Sequence, residues 1–374
     1  MKIAIVTMGR FHVLDLAREL NDLGQDVVFY SCVPLKRFAR FGFPINKQIN
    51  LLYLFAPLLF LKKILKGNSS MLLDRLLLYL FDNVISLIIK PCDVFIGMSG
   101  LAIKSAETAK KKYGAKILIE RGSRHILSQK EILESIKSQK KVVVPAYSIK
   151  KEIKSYEIAD FVVIPSQHVQ ESFIEFGYPK EKLFRNAYGV DLEMFIPSKV
   201  LQNDIPIILF VGSWSYQKGV DILYEAWKKI ENVRLLHIGS LGDVILPKDI
   251  NFEHHEPVPQ WELVNYYSQA NLFVMPSRQE GLSLVLVQAL ACGLPIVCTT
   301  RTGGQDLKEI ITDKSLIEVV PPDDVEILKM AIEKMLIRSQ KLKSRRDILG
   351  VDREKLSWEA YGKRYNEFLN RITK

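Results

Sequence analysis

Apolar positions along the chain fall into two textures: short unbroken runs that read as buried strands, and longer stretches at three- and four-residue spacing that read as amphipathic helices. Lys2–Thr7 is the first run. A loop, Met8–His12, leads to Val13–Leu23, where Val13, Leu14, Leu16, Ala17, Leu20 and Leu23 recur at helical spacing and Gly24 supplies the left-handed stop. Asp26–Tyr30 follows as a second strand. Such a strand–helix–strand unit opens a parallel, doubly wound sheet. Val94–Gly97, Lys116–Glu120 and Phe161–Pro165 read as its further strands. The second half repeats the scheme, with strands at Ile205–Gly212, Arg234–Gly239, Asn271–Pro276 and Ile296–Thr299 and helices at Val220–Ile230 and Leu284–Cys292. The pattern therefore predicts an α/β protein of two successive doubly wound, Rossmann-like domains joined near Pro197–Pro206. The first covers residues 1–197 and the second 198–356. A last amphipathic helix, Trp358–Ile372, places Trp358, Tyr361, Tyr365 and Phe368 on one side and is expected to return to the first domain as part of a segment 357–374.

Two stretches break the alternation. Leu51–Leu61 is almost wholly apolar and is followed by Lys62, Lys63 and Lys66; Met71–Ile89 is nearly as apolar but contains Asp74, Arg75, Asp82 and Asn83. Neither reaches the ~18–20 uncharged residues that a spanning helix needs. A buried helix pair is the expectation for 71–89, whereas 51–66 reads either as a buried helix or as a segment lying in a membrane interface.

At 374 residues, two domains are the natural prior. Cys32, Cys92, Cys292 and Cys298 sit singly in apolar stretches and read as buried thiols, not as a disulfide or metal framework. The N-terminus enters a strand directly, without a leader-like apolar region, so a cytoplasmic protein is expected, peripheral at the inner membrane face if it meets a membrane. The net charge of +10 is unevenly spread: residues 1–200 hold 30 Lys and Arg against 19 Asp and Glu, and residues 201–374 hold 22 against 23. A basic first half points to a local anionic partner such as a membrane surface. Nucleic acid is not expected, because no motif of a nucleic-acid-binding fold is present.

The strongest chemical signal is Met275–Pro295, MPSRQEGLSLVLVQALACGLP. Here a strand ends, Glu280–Gly281 form a turn and a helix starts near Ser283, which points free N–H groups and a positive helix end into the crevice at the strand ends. Gly281 allows close approach of a ligand to the backbone, Glu280 is placed to accept from sugar hydroxyls, and Gln288 leans back toward the same end. The second signal is Phe210–Gly219, FVGSWSYQKG, where a strand ends at Gly212 and Lys218–Gly219 open a helix. A lysine there can hold a diphosphate and neutralise the charge of a departing nucleotide.

Together these residues resemble the donor domain of the retaining glycosyltransferases of family 4, whose fold is called GT-B. The resemblance rests on Glu280-Gly281, Gln288, Ala289-Leu290-Ala291 and Gly293-Leu294-Pro295, with Ala159–Ser166, Gly177-Tyr178-Pro179, Tyr188–Asp191, Phe195, Pro197 and Gly303-Gly304. It runs from about residue 159 to 311 and is weak over 1–158, where it rests on the opening unit with His12-Val13. It implies two facing domains with a cleft between them. Glu280 would hold the donor sugar, the amides of Gly281, Leu282, Ser283 and Leu284 would cradle sugar and diphosphate, and Lys218 would bind the diphosphate beside Gly212 and Ser213. Glu256-Pro257-Val258 would meet the base, and Gly9 would give room near the phosphates. No metal and no other cofactor is implied, since Lys218 and the helix end take a cation's place.

This sequence departs from the family's pattern at three points. The second glutamate is Gln288, an arginine of the phosphate loop is Ser213 (with Arg10, Arg278 or Arg301 as substitutes), and the histidine after a late strand of the first domain falls on Arg121. Arg121, Ser123, Arg124 and His125 then form a basic cluster readable as facing either the sugar or solvent. Arg10, His12, Arg121 and Ser123 are the acceptor-side candidates, and Glu280, Lys218, Arg121 and His125 the catalytic ones. His254-His255 read as a surface loop, since adjacent extended residues point opposite ways. The expected function is transfer of a hexose, UDP-glucose being the favoured donor, to a saccharide or a lipid-linked saccharide in polysaccharide or glycolipid assembly. The rivals are a degenerate nucleotide-sugar-binding partner subunit and an epimerase of the same fold.

Overall fold

The computed structural model describes residues 1–65, 67–136, 143–197, 204–342 and 349–373. Lys66 and most of the expected junction, 198–203, lie outside them. The first half winds through β1 (Lys2–Val6), α1 (Val13–Asp22), β2 (Asp26–Ser31), α2 (Leu35–Ala39), β3 (Gln48–Asn50), α3 (Leu52–Ile64) and α4 (Gly67–Ile88). It continues with β4 (Val94–Met98), α5 (Ile103–Tyr113), β5 (Lys116–Glu120), α6 (Ile126–Ser135), α7 (Ala146–Ile158), β6 (Phe161–Ile164), α8 (Gln167–Glu175) and β7 (Leu183–Arg185). Its seven strands are all parallel, in the order β3-β2-β1-β4-β5-β6-β7.

The second half holds β8 (Ile207–Val211), α9 (Val220–Trp227), β9 (Arg234–Ile238), β10 (Phe252–His255), α10 (Leu263–Gln269), β11 (Leu272–Met275), α11 (Leu284–Ala291), β12 (Ile296–Thr299), α12 (Gly304–Ile310), β13 (Ile317–Val320) and α13 (Val325–Gln340). Its six strands are parallel in the order β10-β9-β8-β11-β12-β13. In both sheets the chain works outward from a central strand and then restarts on its other side. The order reverses between β1 and β4 and between β8 and β11, which is where an open parallel sheet leaves a ligand crevice at its carboxyl edge.

The last helix, α14 (Trp358–Ile372), crosses back onto the first half and packs along α1. The close approach needs Gly362, where a Cβ would lie 2.3 Å from the Cβ of Glu19. Phe368 stacks on Phe184 at 3.9 Å, and the Tyr365 hydroxyl donates to Glu120 at 2.6 Å. All four cysteines are free and buried.

Two expectations need correction, and one open alternative narrows. Segment 71–89 is not a buried helix: α4 buries Leu73, Leu77, Phe81 and Ile85 on one side and exposes Leu72, Leu76, Tyr79 and Leu87 on the other. For 51–66, left open between a buried and an interfacial helix, α3 (Leu52–Ile64) lies at the surface with only Phe55 buried. His254-His255 are not in a loop but form part of edge strand β10, in which the His254 ring stacks on His237 at 4.7 Å.

Candidate active site

The loops after the strands of the two sheets face and touch each other. Gly281 Cα lies against the first half so closely that a Cβ would stand 1.9 Å from the Gly122 carbonyl oxygen. The Gly281 carbonyl accepts from the Ser166 hydroxyl at 2.9 Å and lies 2.7 Å from His168 Nε2. The Gln279 amide donates to Ser123 Oγ at 2.6 Å, and Arg10 reaches Gln260 at 3.3 Å. Further out, Asp306 accepts from the Gln167 amide at 2.8 Å and from Arg185 at 3.2 Å. The missing side chain of Gly281 is therefore used first against the opposite half.

Within the second half, two switch-point loops are pressed together at Gly219. Its φ of +69° is left-handed, and a Cβ would lie 2.1 Å from the Pro276 carbonyl oxygen, so glycine alone fits. That contact sets Lys218 beside Glu280, and the two form an ion pair in the crevice with both side chains still partly exposed. Next to them α11 begins at Leu284 with no side-chain cap on its Ser283. The Glu280 and Ser283 amides are spent on Arg301 and Thr302 carbonyls at 3.2 Å. The amides of Gly281, Leu282 and Leu284 have no such acceptor among the described residues. An uncapped helix start with free amides, beside a lysine and a glutamate, offers positive charge to a phosphate and an acceptor to sugar hydroxyls.

The other candidates divide. Gly212 closes β8, its carbonyl accepting from His237 Nε2 at 2.9 Å, and Ser213 follows it in the same loop. Gln288 is buried and its side-chain oxygen accepts from the Tyr267 hydroxyl at 3.0 Å. Of the substitutes for the missing arginine, Arg278 is committed elsewhere, forked onto Asp221 at 2.6 and 2.7 Å and bonded to Asp323 at 2.5 Å. Arg301 has no carboxylate partner among the described residues. Arg10 lies over the Phe41 ring at 3.5 Å; burial lowers its pKa against the pull of Asp15. Arg10, Val258, Gln260 and Trp261 line a groove of about 1210 Å³ between the halves, and Gly9 precedes it with only the Phe11 ring near its Cβ position.

Three first-half candidates are held by partners within their own half. His125 is not in the crevice. It caps α6, accepting from the Leu127 amide at 3.4 Å, and its ring packs on Phe176, Phe173 and Tyr156. Burial, helped by Arg121, pushes its pKa down to about 4. Arg121 turns away from the opposite half, bonding Glu152 at 2.9 Å, Gln129 at 2.6 Å and the Arg124 carbonyl. His12 is buried against Glu120 at 3.0 Å and the Tyr188 ring at 4.4 Å. The sequence reading missed Phe11, whose ring is 59 % exposed in the loop after β1 with φ at +38°. Its signal, an aromatic between Arg10 and a helix start, is weak without the dihedral. Among the described residues no three His, Cys, Asp or Glu side chains gather as a metal site.

Two parallel doubly wound sheets meeting carboxyl edge to carboxyl edge define the GT-B class of glycosyltransferase fold. Across 99 % of both chains the structure is similar to that of Anabaena HepE in complex with UDP and glucose (TM-score 0.69, 13 % identity). Residues 205–338, about a third of the chain, match the family described as glycosyl transferases group 1. An uncharacterized glycosyltransferase of Methanocaldococcus jannaschii is 34 % identical over 199 residues, 49 % of this chain and 54 % of that protein. The match thus spans about half the length of this relative. A capsular polysaccharide biosynthesis glycosyltransferase of Staphylococcus aureus is 27 % identical over 267 residues, 63 % of this chain and 68 % of that protein.

Proposed function

We propose that the protein is a glycosyltransferase that moves a hexose from a nucleoside diphosphate sugar, UDP-glucose first, to a saccharide or lipid-linked saccharide. The observation that carries this reading is the Lys218–Glu280 pair at the switch point, beside the uncapped start of α11. A bound diphosphate would take Lys218 from Glu280 and face the free amides at Gly281, Leu282 and Leu284, and Glu280 would turn to the sugar hydroxyls. Positive charge at these two sources offsets the charge that grows on the leaving diphosphate, so the step as drawn needs no metal ion. The acceptor hydroxyl would enter from the first half and attack on the face that the diphosphate leaves, its proton passing to the departing phosphate oxygen as the sugar–phosphate bond breaks, which retains the anomeric configuration. The UDP and glucose held by the Anabaena structure support the choice of donor, and the staphylococcal relative's part in capsular polysaccharide synthesis supports a saccharide acceptor.

The test is product analysis of the purified protein with UDP-glucose, UDP-galactose and GDP-mannose, with and without glycan and polyprenyl-diphosphate saccharide acceptors, in buffer containing chelator. Acceptor-dependent release of nucleoside diphosphate, with an α-linked product, is expected. Conversion of the donor sugar without acceptor would instead identify an epimerase, and binding without turnover would identify a partner subunit.

A further inference from the structure

We propose that the α3–α4 hairpin docks this protein onto an anionic lipid bilayer, lying in the headgroup layer. Eleven of the 26 large apolar side chains exposed among the described residues fall within residues 53–88, about a tenth of the chain. They form faces. On α4, at 100° per residue, Leu72, Leu76, Tyr79 and Leu87 make one stripe opposite the buried stripe of Leu73, Leu77, Phe81 and Ile85. Leu87 is 78 % exposed and Leu72 63 %. On α3, Tyr53, Leu54, Phe60, Leu61 and Ile64 share an arc of about 120°, with Tyr53 80 % exposed and Phe60 66 %. α3 is apolar on more than one side but sets only Phe55 fully into the core, so its outer apolar arc calls for another cover. A patch of this kind on one surface marks a docking face.

Charge selects the occupant. Lys62 and Lys63 end α3. The neighbouring helix α5 carries Lys104, Lys110, Lys111 and Lys112, and α7 carries Lys150, Lys151 and Lys154, with Arg75 of α4 over the Tyr147 ring at 4.9 Å. Acids answer some of them: Lys62 pairs with Asp74 at 2.5 Å, Lys110 with Asp160 at 2.9 Å and Lys154 with Glu157 at 3.6 Å, while Asp82 is buried, accepting from Ser105 and the Lys104 amide. Among the described residues Lys63, Lys104, Lys111, Lys112, Lys150 and Lys151 stand in no ion pair, which leaves the face basic. A second copy of the chain would set lysines against lysines across a symmetric contact, whereas anionic headgroups match them. No helix among the described residues is long and apolar enough to cross a membrane, which leaves the hairpin to lie along the surface. α3 starts at the carboxyl end of β3, the same edge of the sheet on which the cleft opens. The docking does not depend on the transferase reading.

Sedimentation with phosphatidylcholine vesicles, with and without phosphatidylglycerol, tests it. The full chain is expected to bind anionic vesicles at least about tenfold more tightly than neutral ones, and less at high salt, since each basic residue near such a surface is worth roughly fivefold. The combined variant Phe60→Ser, Leu72→Ser, Leu87→Ser should lose about tenfold or more with an unchanged unfolding temperature, because all three side chains are exposed. Lys63→Glu with Lys111→Glu should remove the anionic preference and spare residual binding. Equal binding to both vesicles, no binding to either, or full binding by the serine variant overturns the proposal. So does a dimer in light scattering that the serine variant splits, which would give the face to a second copy.

Discussion

Phe11 holds a left-handed backbone at φ +38° and still presents its ring to solvent, in the loop of the first sheet's switch point. Strain of this kind costs roughly 1 kcal/mol or more and persists where something else requires it. An exposed ring held in that loop would serve an acceptor sugar as a stacking face. Phe11→Gly should therefore leave the unfolding temperature equal or higher while raising the acceptor KM several-fold, and Phe11→Trp should keep KM near wild type. Steady-state kinetics with calorimetry checks both. His125 gives the opposite forecast. Because its ring is a packing element among Phe173, Phe176 and Tyr156, His125→Phe should keep kcat within about threefold, whereas loss of a true acid or base costs ~10²–10⁴. A hundredfold loss in a folded variant would return His125 to the chemistry.

Among the elements, the paired loops at Gly219 and Gly281 carry the most consequence, since they bring Lys218 to Glu280 and one half to the other. Gly281→Ala pushes a methyl into the Gly122 carbonyl, and the cheapest relief is for the halves to part. Small-angle scattering should then show a larger radius of gyration and activity should fall at least about tenfold, with little change in unfolding temperature; an unchanged radius with full activity would contradict the contact. These loops were legible in the sequence because glycines and charges at strand ends have few other uses. The central strands were legible for a similar reason, being buried on both faces and so continuously apolar. The strands that escaped notice are β3, β7, β10 and β13, which are the four sheet edges. Each is three or four residues long, and QIN, LFR and FEHH carry polar residues that an outer strand tolerates. The placement of His125 and Arg121 was illegible because their partners, Tyr156, Phe173, Phe176 and Glu152, come from α7, α8 and the α8 C-cap, far along the chain.

For the whole molecule, buried titratable groups set a pH dependence. Burial lowers the pKa of His125, His168 and His237 to about 4. A base whose folded pKa lies below its unfolded value of 6.5 lends stability that is present above 6.5 and lost as pH falls toward 4. Asp306, raised to about 6 by burial, opposes this, gaining stability as pH falls through 6 toward 3.8. Burial raises the pKa of Glu19 too, and the three histidines outweigh the two acids, at roughly 1 kcal/mol per group per pH unit. The unfolding temperature should fall by several degrees between pH 7 and pH 5, and less steeply in His125→Phe. A flat or rising profile would contradict these placements.

The central claim is that the crevice at Lys218 and α11 holds a nucleoside diphosphate, and titration calorimetry of UDP, GDP and ADP into the purified protein tests it most directly. One of the three is expected to bind in the presence of chelator, and Lys218→Ala to weaken it at least about tenfold, as loss of a charge-assisted phosphate contact should. The variant should unfold at the wild-type temperature when no nucleotide is present. Absence of binding by all three, or equal affinity in Lys218→Ala, would contradict it.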